Sequence, residues 1–119
     1  MKTFLLFVIA SLFTLNISAQ TSCSELMNYV KSESYGSTYY SYSSDAISQV
    51  TFYEVTDKSY NTFYFAIVRF TSSFKEYLYQ VGSRTKFNYS LAYLDSAGKA
   101  FWKYIAPYND NLECAPNFN

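Results

Sequence analysis

The chain predicts an α+β domain: a small antiparallel meander of three to four strands, packed by two C-terminal helices and joined by a short N-terminal helix. Three observations carry that expectation. The segment Thr62–Phe70 (TFYFAIVRF) is apolar on both alternating faces apart from Arg69, as in a strand covered above and below. Strand-like runs lie before and after it, and beyond Gly82 the apolar period becomes helical. Two cysteines, Cys23 and Cys114, stand at opposite ends of the chain.

The N-terminus reads as an export signal. Lys2 gives a positive start, residues 4–15 are apolar except Ser11 and Thr14, and Ile17-Ser18-Ala19 offers cleavage after Ala19. The apolar run is too short for the roughly 20 residues that span a bilayer, and Gln20-Thr21-Ser22 before Cys23 lacks the apolar character of a lipobox. The expectation is a secreted or periplasmic product, residues 20–119, with no membrane anchor after cleavage. In such a compartment Cys23 and Cys114 pair most simply with each other and tie the two ends together.

Within the product, Ser22 with Glu25 reads as a capping box, followed by Leu26, Tyr29 and Val30 at helical spacing up to about Glu33. Residues 32–44 hold six serines, Gly36 and four tyrosines, and read as a turn plus an extended aromatic stretch, strand or loop. Residues 46–55 are strand-like through Val50, Phe52, Tyr53 and Val55, and Asp57-Lys58-Ser59 reads as a turn. Residues 75–81 complete the meander, with Tyr77, Tyr79 and Val81 on one face and Leu78 on the other.

After Gly82, Ser83 caps a helix in which Phe87, Leu91 and Leu94 form the apolar stripe. Asp95-Ser96 interrupts it. Ser96 then caps a last helix that turns Ala97, Ala100, Phe101, Tyr104 and Ile105 inward and ends before Pro107. The central strand has two apolar faces, and these helices cover one. Either the N-terminal helix, held by the disulfide, covers the other, or that face is an exposed aromatic binding surface.

Composition removes several function classes. Lys plus Arg equals Asp plus Glu at 9 each, and losing Lys2 leaves 8 against 9, so there is no basic excess for nonspecific polyanion binding. His is absent, which removes every mechanism that needs imidazole. No cofactor, metal centre or catalytic constellation is expected. Glu54 and Glu76 fall on neighbouring strands of this reading and are the one carboxylate pair to consider for hydrolysis. Arg84-Thr85-Lys86 and Lys99 with Lys103 are the local basic groupings, ordinarily solvated surface and otherwise phosphate contacts. Asn88-Tyr89-Ser90 is formally a glycosylation acceptor. The helical register places Lys99, Trp102 and Lys103 together on the outside, a candidate contact surface in which an indole stacks on a ring while two cations meet an anion.

From residue 44 to about 108 the chain resembles the KTSC domain, a short module found at the C-terminus of some lysyl-tRNA synthetases and as a stand-alone protein. The resemblance is carried by Ala46-Ile47 with Val50, by Tyr77-Leu78-Tyr79 and Val81, and by Ser96-Ala97-Gly98-Lys99-Ala100-Phe101 leading to Ile105. It assigns Tyr77, Tyr79, Ser96, Gly98, Lys99 and Phe101 to the family motif, leaves residues 20–43 as an added helix and aromatic extension, and makes residues 44–119 a KTSC-like domain with a C-terminal tail. The chain departs from the family at Gly82, where Pro is usual, and at Trp102, where Asn is frequent. The resemblance implies RNA binding as a suggestion only. With catalytic groups lacking and aromatics abundant, the leading expectation is a non-catalytic binding or interaction module for a protein or envelope polymer, ahead of nucleic-acid binding and a carboxylate-only hydrolase.

Overall fold

The computed structural model describes residues 19–117, so the segment read as an export signal lies, apart from Ala19, outside the described residues. The elements are α1 (Ala19–Glu33), β1 (Ser37–Tyr40), β2 (Ile47–Thr56), β3 (Thr62–Phe70), β4 (Glu76–Val81), α2 (Thr85–Ala92), α3 (Ala97–Tyr104), a 3-10 turn (Ala106–Tyr108) and α4 (Asn109–Leu112). The strands form one antiparallel sheet in the order β1-β2-β3-β4, a simple meander.

Alternation along the strands divides the sheet into two faces. The front face gathers Val50, Phe52, Ala66, Val68, Tyr79 and Val81 under α2 and α3; the back face gathers Val55, Phe65, Ile67 and Leu78 under α1. Ile47 and Val50 share the front face despite odd spacing because the β2–β3 register shifts between Ile47 and Gln49, one extra residue that re-aims the strand end. β3 is therefore apolar on both faces for a physical reason: each side has its own cover. Of the two possibilities for the second face, the chain takes the first.

That cover is held at two points. Cys23 and Cys114 are bonded with Cα atoms 5.7 Å apart, closing a separation of 91 residues. Glu76 on β4 accepts from Lys31 Nζ of α1 at 2.8 Å and from Arg69 Nη2 of β3 at 3.0 Å. Burial raises the Glu76 carboxyl's pKa, but the hydrogen bonds from Lys31 and Arg69 outweigh it and hold the group below the usual carboxylate range.

Three local expectations are corrected. α1 begins at Ala19, so Ser22 sits inside the helix rather than at its cap. α2 begins after Arg84, with no side-chain cap; Ser83 precedes it, while the Thr85 hydroxyl accepts from the Gly82 N–H at 3.1 Å. The apolar stripe expected of α2 is also turned outward, and Leu94 falls in the turn past the helix end: Phe87, Leu91 and Leu94 are 53%, 71% and 82% exposed, whereas Thr85 and Tyr89 are buried. The rings below decide this. Tyr89 packs on Phe52 with centroids 5.6 Å apart, Tyr93 meets the edge of Tyr39 at 5.1 Å, and Tyr89 stacks on Tyr93 at 5.6 Å.

The last helix follows its expected register. Ser96 Oγ accepts the Lys99 N–H at 3.2 Å, and Ala97, Ala100, Phe101 and Ile105 are buried. Beyond Pro107 the tail has more structure than its composition indicates. The Asn109 side chain donates to the Ala115 carbonyl and accepts its N–H, and Asn111 Nδ2 donates to the Gln80 carbonyl on β4. These bonds place Cys114 over the back face beside Leu112.

Candidate binding cleft

At the end of the front face that α2 does not fully cover, the sheet and the start of α2 leave an open cleft of about 350 Å³. Its floor is Phe52, Glu54, Tyr64 and Val81; Lys86 and Phe87 of α2 form one wall and Tyr35 stands at the rim. The cross-strand pairing of Glu54 with Tyr64, and of Tyr64 with Val81, puts a carboxylate, a phenol and an aliphatic side chain in one row. Lys86 Nζ donates to Ser37 Oγ at 3.1 Å, which fixes the ammonium beside β1. The cleft thus combines aromatic walls with one acid and one base. Its volume lies near the lower end of small-molecule sites, roughly 300–1,000 Å³, and suits one or two rings.

Of the positions singled out in the sequence, Glu54 and Lys86 line this cleft, and the others fall elsewhere. Tyr79 is 1% exposed and meets the edge of Phe101 at 5.7 Å, and Tyr77 lies half-buried against Phe70 at 5.7 Å, so both belong to the packing under α3. Burial pushes the Tyr79 hydroxyl far above the ordinary tyrosine range, with the neighbouring Tyr77 adding to the shift. Ser96 serves as a cap and Phe101 as core; Gly98 faces Ala46, where an added Cβ meets ordinary contact at 3.6 Å.

Glu54 and Glu76 are not brought together. They stand on β2 and β4 with β3 between them, on opposite faces, opposite Tyr64 and Arg69 respectively. The strand rise alone separates those rows by roughly 17 Å, beyond the roughly 5–9.5 Å over which two carboxylates cooperate on a glycosidic bond. Glu76 is moreover occupied by Lys31 and Arg69.

Lys99, Trp102 and Lys103 are all exposed on α3, as the register predicts. They do not converge on one depression. Trp102 borders a groove with the tail in which the charged neighbours are Asp110 and Glu113. Lys103 opens to the other side, into a polar depression shared with Arg84, Asn88 and Tyr108, its Nζ 5.3 Å from the Tyr104 ring. Asn88, in the formal glycosylation triplet, is half-buried in α2, and Tyr89 next to it is wholly enclosed.

The 350 Å³ cleft as a whole had no signal in the sequence, because its residues come from the β1 approach, all four strands and α2. Among the described residues no helix is long and apolar enough to cross a membrane. No protein-family model, curated protein or solved structure matches the chain.

Proposed function

We propose that this protein is an exported, non-catalytic binding module that takes a ring-bearing segment of an envelope polymer into the cleft over Phe52, Glu54 and Tyr64. The observation that carries the reading is the composition of that cleft: aromatic rings line it, and Glu54 and Lys86 are its ionisable groups. Rings supply stacking area at low entropic cost, while an acid and a base placed apart fix orientation by hydrogen bonding to hydroxyls or amides. A sugar ring of a cell-wall glycan has both surfaces to offer. Export and relation to the KTSC domain belong to the same proposal, supported by the N-terminal apolar run and by the residues around Tyr77, Tyr79 and Ser96.

Titration calorimetry with soluble cell-wall glycan fragments tests it. Tyr64→Ala and Glu54→Gln each weaken binding by about tenfold, the scale of one lost hydrogen bond or stacking contact. Absence of binding to wild-type protein, or binding indifferent to both changes, contradicts the proposal. Nucleic-acid binding, which the KTSC resemblance favours, is separated by salt: its affinity falls steeply as ionic strength rises, because phosphate contacts release counterions.

A further inference from the structure

The outward stripe of α2 and the outer side of α3 belong to one layer, since both helices pack on the same sheet face and turn the opposite side to solvent. That outer side has an unusual composition. Phe87, Leu91 and Leu94 form an apolar row at helical spacing, all more than half exposed, and Trp102 adds an indole that is 47% exposed. A helix apolar on both sides ordinarily has something against each. The Arg84 guanidinium lies 5.2 Å from the Phe87 ring, at one end of the row.

The charges around that row are lopsided. Residues 83–104 hold four cations, Arg84, Lys86, Lys99 and Lys103, against one acid, Asp95; the other residues from 20 onward hold four cations and eight acids. The segment that builds α2 and α3 is therefore basic in a nearly neutral protein; Lys86 is turned toward Ser37 in the cleft, while Arg84, Lys99 and Lys103 are exposed, with Asp110 and Glu113 bordering the layer beside Trp102.

We propose that the outer face of α2 and α3 docks peripherally on an anionic lipid surface, with Phe87, Leu91 and Leu94 entering the headgroup boundary and the exposed Arg84, Lys99 and Lys103 meeting lipid phosphates. Charge complementarity selects this occupant. The cationic side is attracted to such a surface and the acidic remainder is repelled from it, so the protein lands in one orientation. The apolar row distinguishes lipid from nucleic acid, because Leu91 and Leu94 fit the acyl boundary and offer no ring on which a base stacks. A two-fold pair of this chain through the same face would set its cations against their own copies.

The exported, oxidised protein, its N-terminus read by intact mass, is mixed with vesicles of phosphatidylcholine alone or with phosphatidylglycerol added, and followed by co-sedimentation and by the emission of Trp102, the single tryptophan. The protein partitions onto the phosphatidylglycerol vesicles with a blue shift, high salt weakens it, and Leu91→Asp lowers partitioning at least about tenfold at unchanged melting temperature, because it places a charge at the boundary. Lys99→Glu with Lys103→Glu has a comparable effect. Equal partitioning onto both vesicle types, or partitioning unaltered by Leu91→Asp, overturns the proposal. So does binding of single-stranded nucleic acid that survives Leu91→Asp, or a dimer that the same substitution dissociates without any vesicle binding.

Discussion

The two faces of the sheet are closed in different ways. On the front, α2 and α3 follow β4 directly in sequence and bring large side chains: Tyr79, Tyr89 and Phe101 are all fully enclosed there. On the back, the cover comes from the far end of the chain, and among the described side chains of α1 Val30 alone is fully buried, with Leu26 and Met27 half-buried beside it. A helix that docks through so little apolar area gains only a few kcal/mol from burial, against an ordering cost of about 1–2 kcal/mol for each residue it fixes. The Cys23–Cys114 bond and the Lys31–Glu76–Arg69 cluster lie on this side. Local connectivity and ring packing secure one face, while a covalent tie between distant ends secures the other.

The largest effect comes from breaking that tie. In the chain-entropy account, closing a separation of this length contributes about 4.5 kcal/mol. Cys23→Ser combined with Cys114→Ser therefore lowers the unfolding free energy by about that amount, read by urea denaturation of the variant against the oxidised protein.

Front-face packing comes next. Phe101 is 1% exposed and touches the rings of Phe70 at 5.3 Å and Tyr79 at 5.7 Å. Phe101→Ala costs about 3–4 kcal/mol through lost transfer energy and a cavity, while Phe87→Ala on the outward stripe stays within about 0.5 kcal/mol. Equal effects of the two would return the α2 stripe to the interior.

A titration separates the faces further. Burial pushes Tyr89 up to about 12, the adjacent Ser41 hydroxyl partly opposing the shift without an aligned hydrogen bond, and Tyr79 shifts in the same direction. Groups whose pKa is raised by folding stabilise fully below the unfolded value, about 10 for tyrosine, and the contribution disappears as pH rises through the folded value. Thermal stability is expected to fall between pH 10 and about 12 through Tyr89, with near-ultraviolet absorbance showing the two phenols ionising together with front-face unfolding.

A smaller effect than that of the disulfide or of Phe101 belongs to Glu76. Its lowered pKa makes the opposite sign: the contribution is present above the ordinary carboxylate range and is lost as pH falls through the depressed value. Because Lys31 and Arg69 are themselves about 40% exposed, Glu76→Gln costs no more than about 1 kcal/mol at neutral pH, and that difference vanishes in acid.

What the sequence made legible follows the same physics. β3 could be read because both of its faces are apolar, and α3 because Lys99 and Lys103 contrast with Ala97, Ala100, Phe101 and Ile105 across the helix. The two cysteines sufficed for the tie. α2 misled because it has two apolar sides, and hydropathy prefers Phe87, Leu91 and Leu94 over Thr85, Tyr89 and Tyr93. The choice rests on Tyr39 and Phe52 beneath the helix, which no local pattern contains. The cleft was hidden for a related reason: Tyr35, Glu54, Tyr64 and Lys86 meet only after the meander has formed.

The central claim is that the back cover depends on the disulfide and the front cover does not. Hydrogen exchange read by mass spectrometry, on oxidised and reduced protein under native conditions, tests it most directly. On reduction, amides of α1 lose their protection altogether, while α3 and the inner strands β2 and β3 stay protected, weakened by no more than the fall in global stability, as expected when one element opens at lower cost than the rest. Equal protection of α1 in both forms, or loss of protection throughout the chain at once, would contradict the claim.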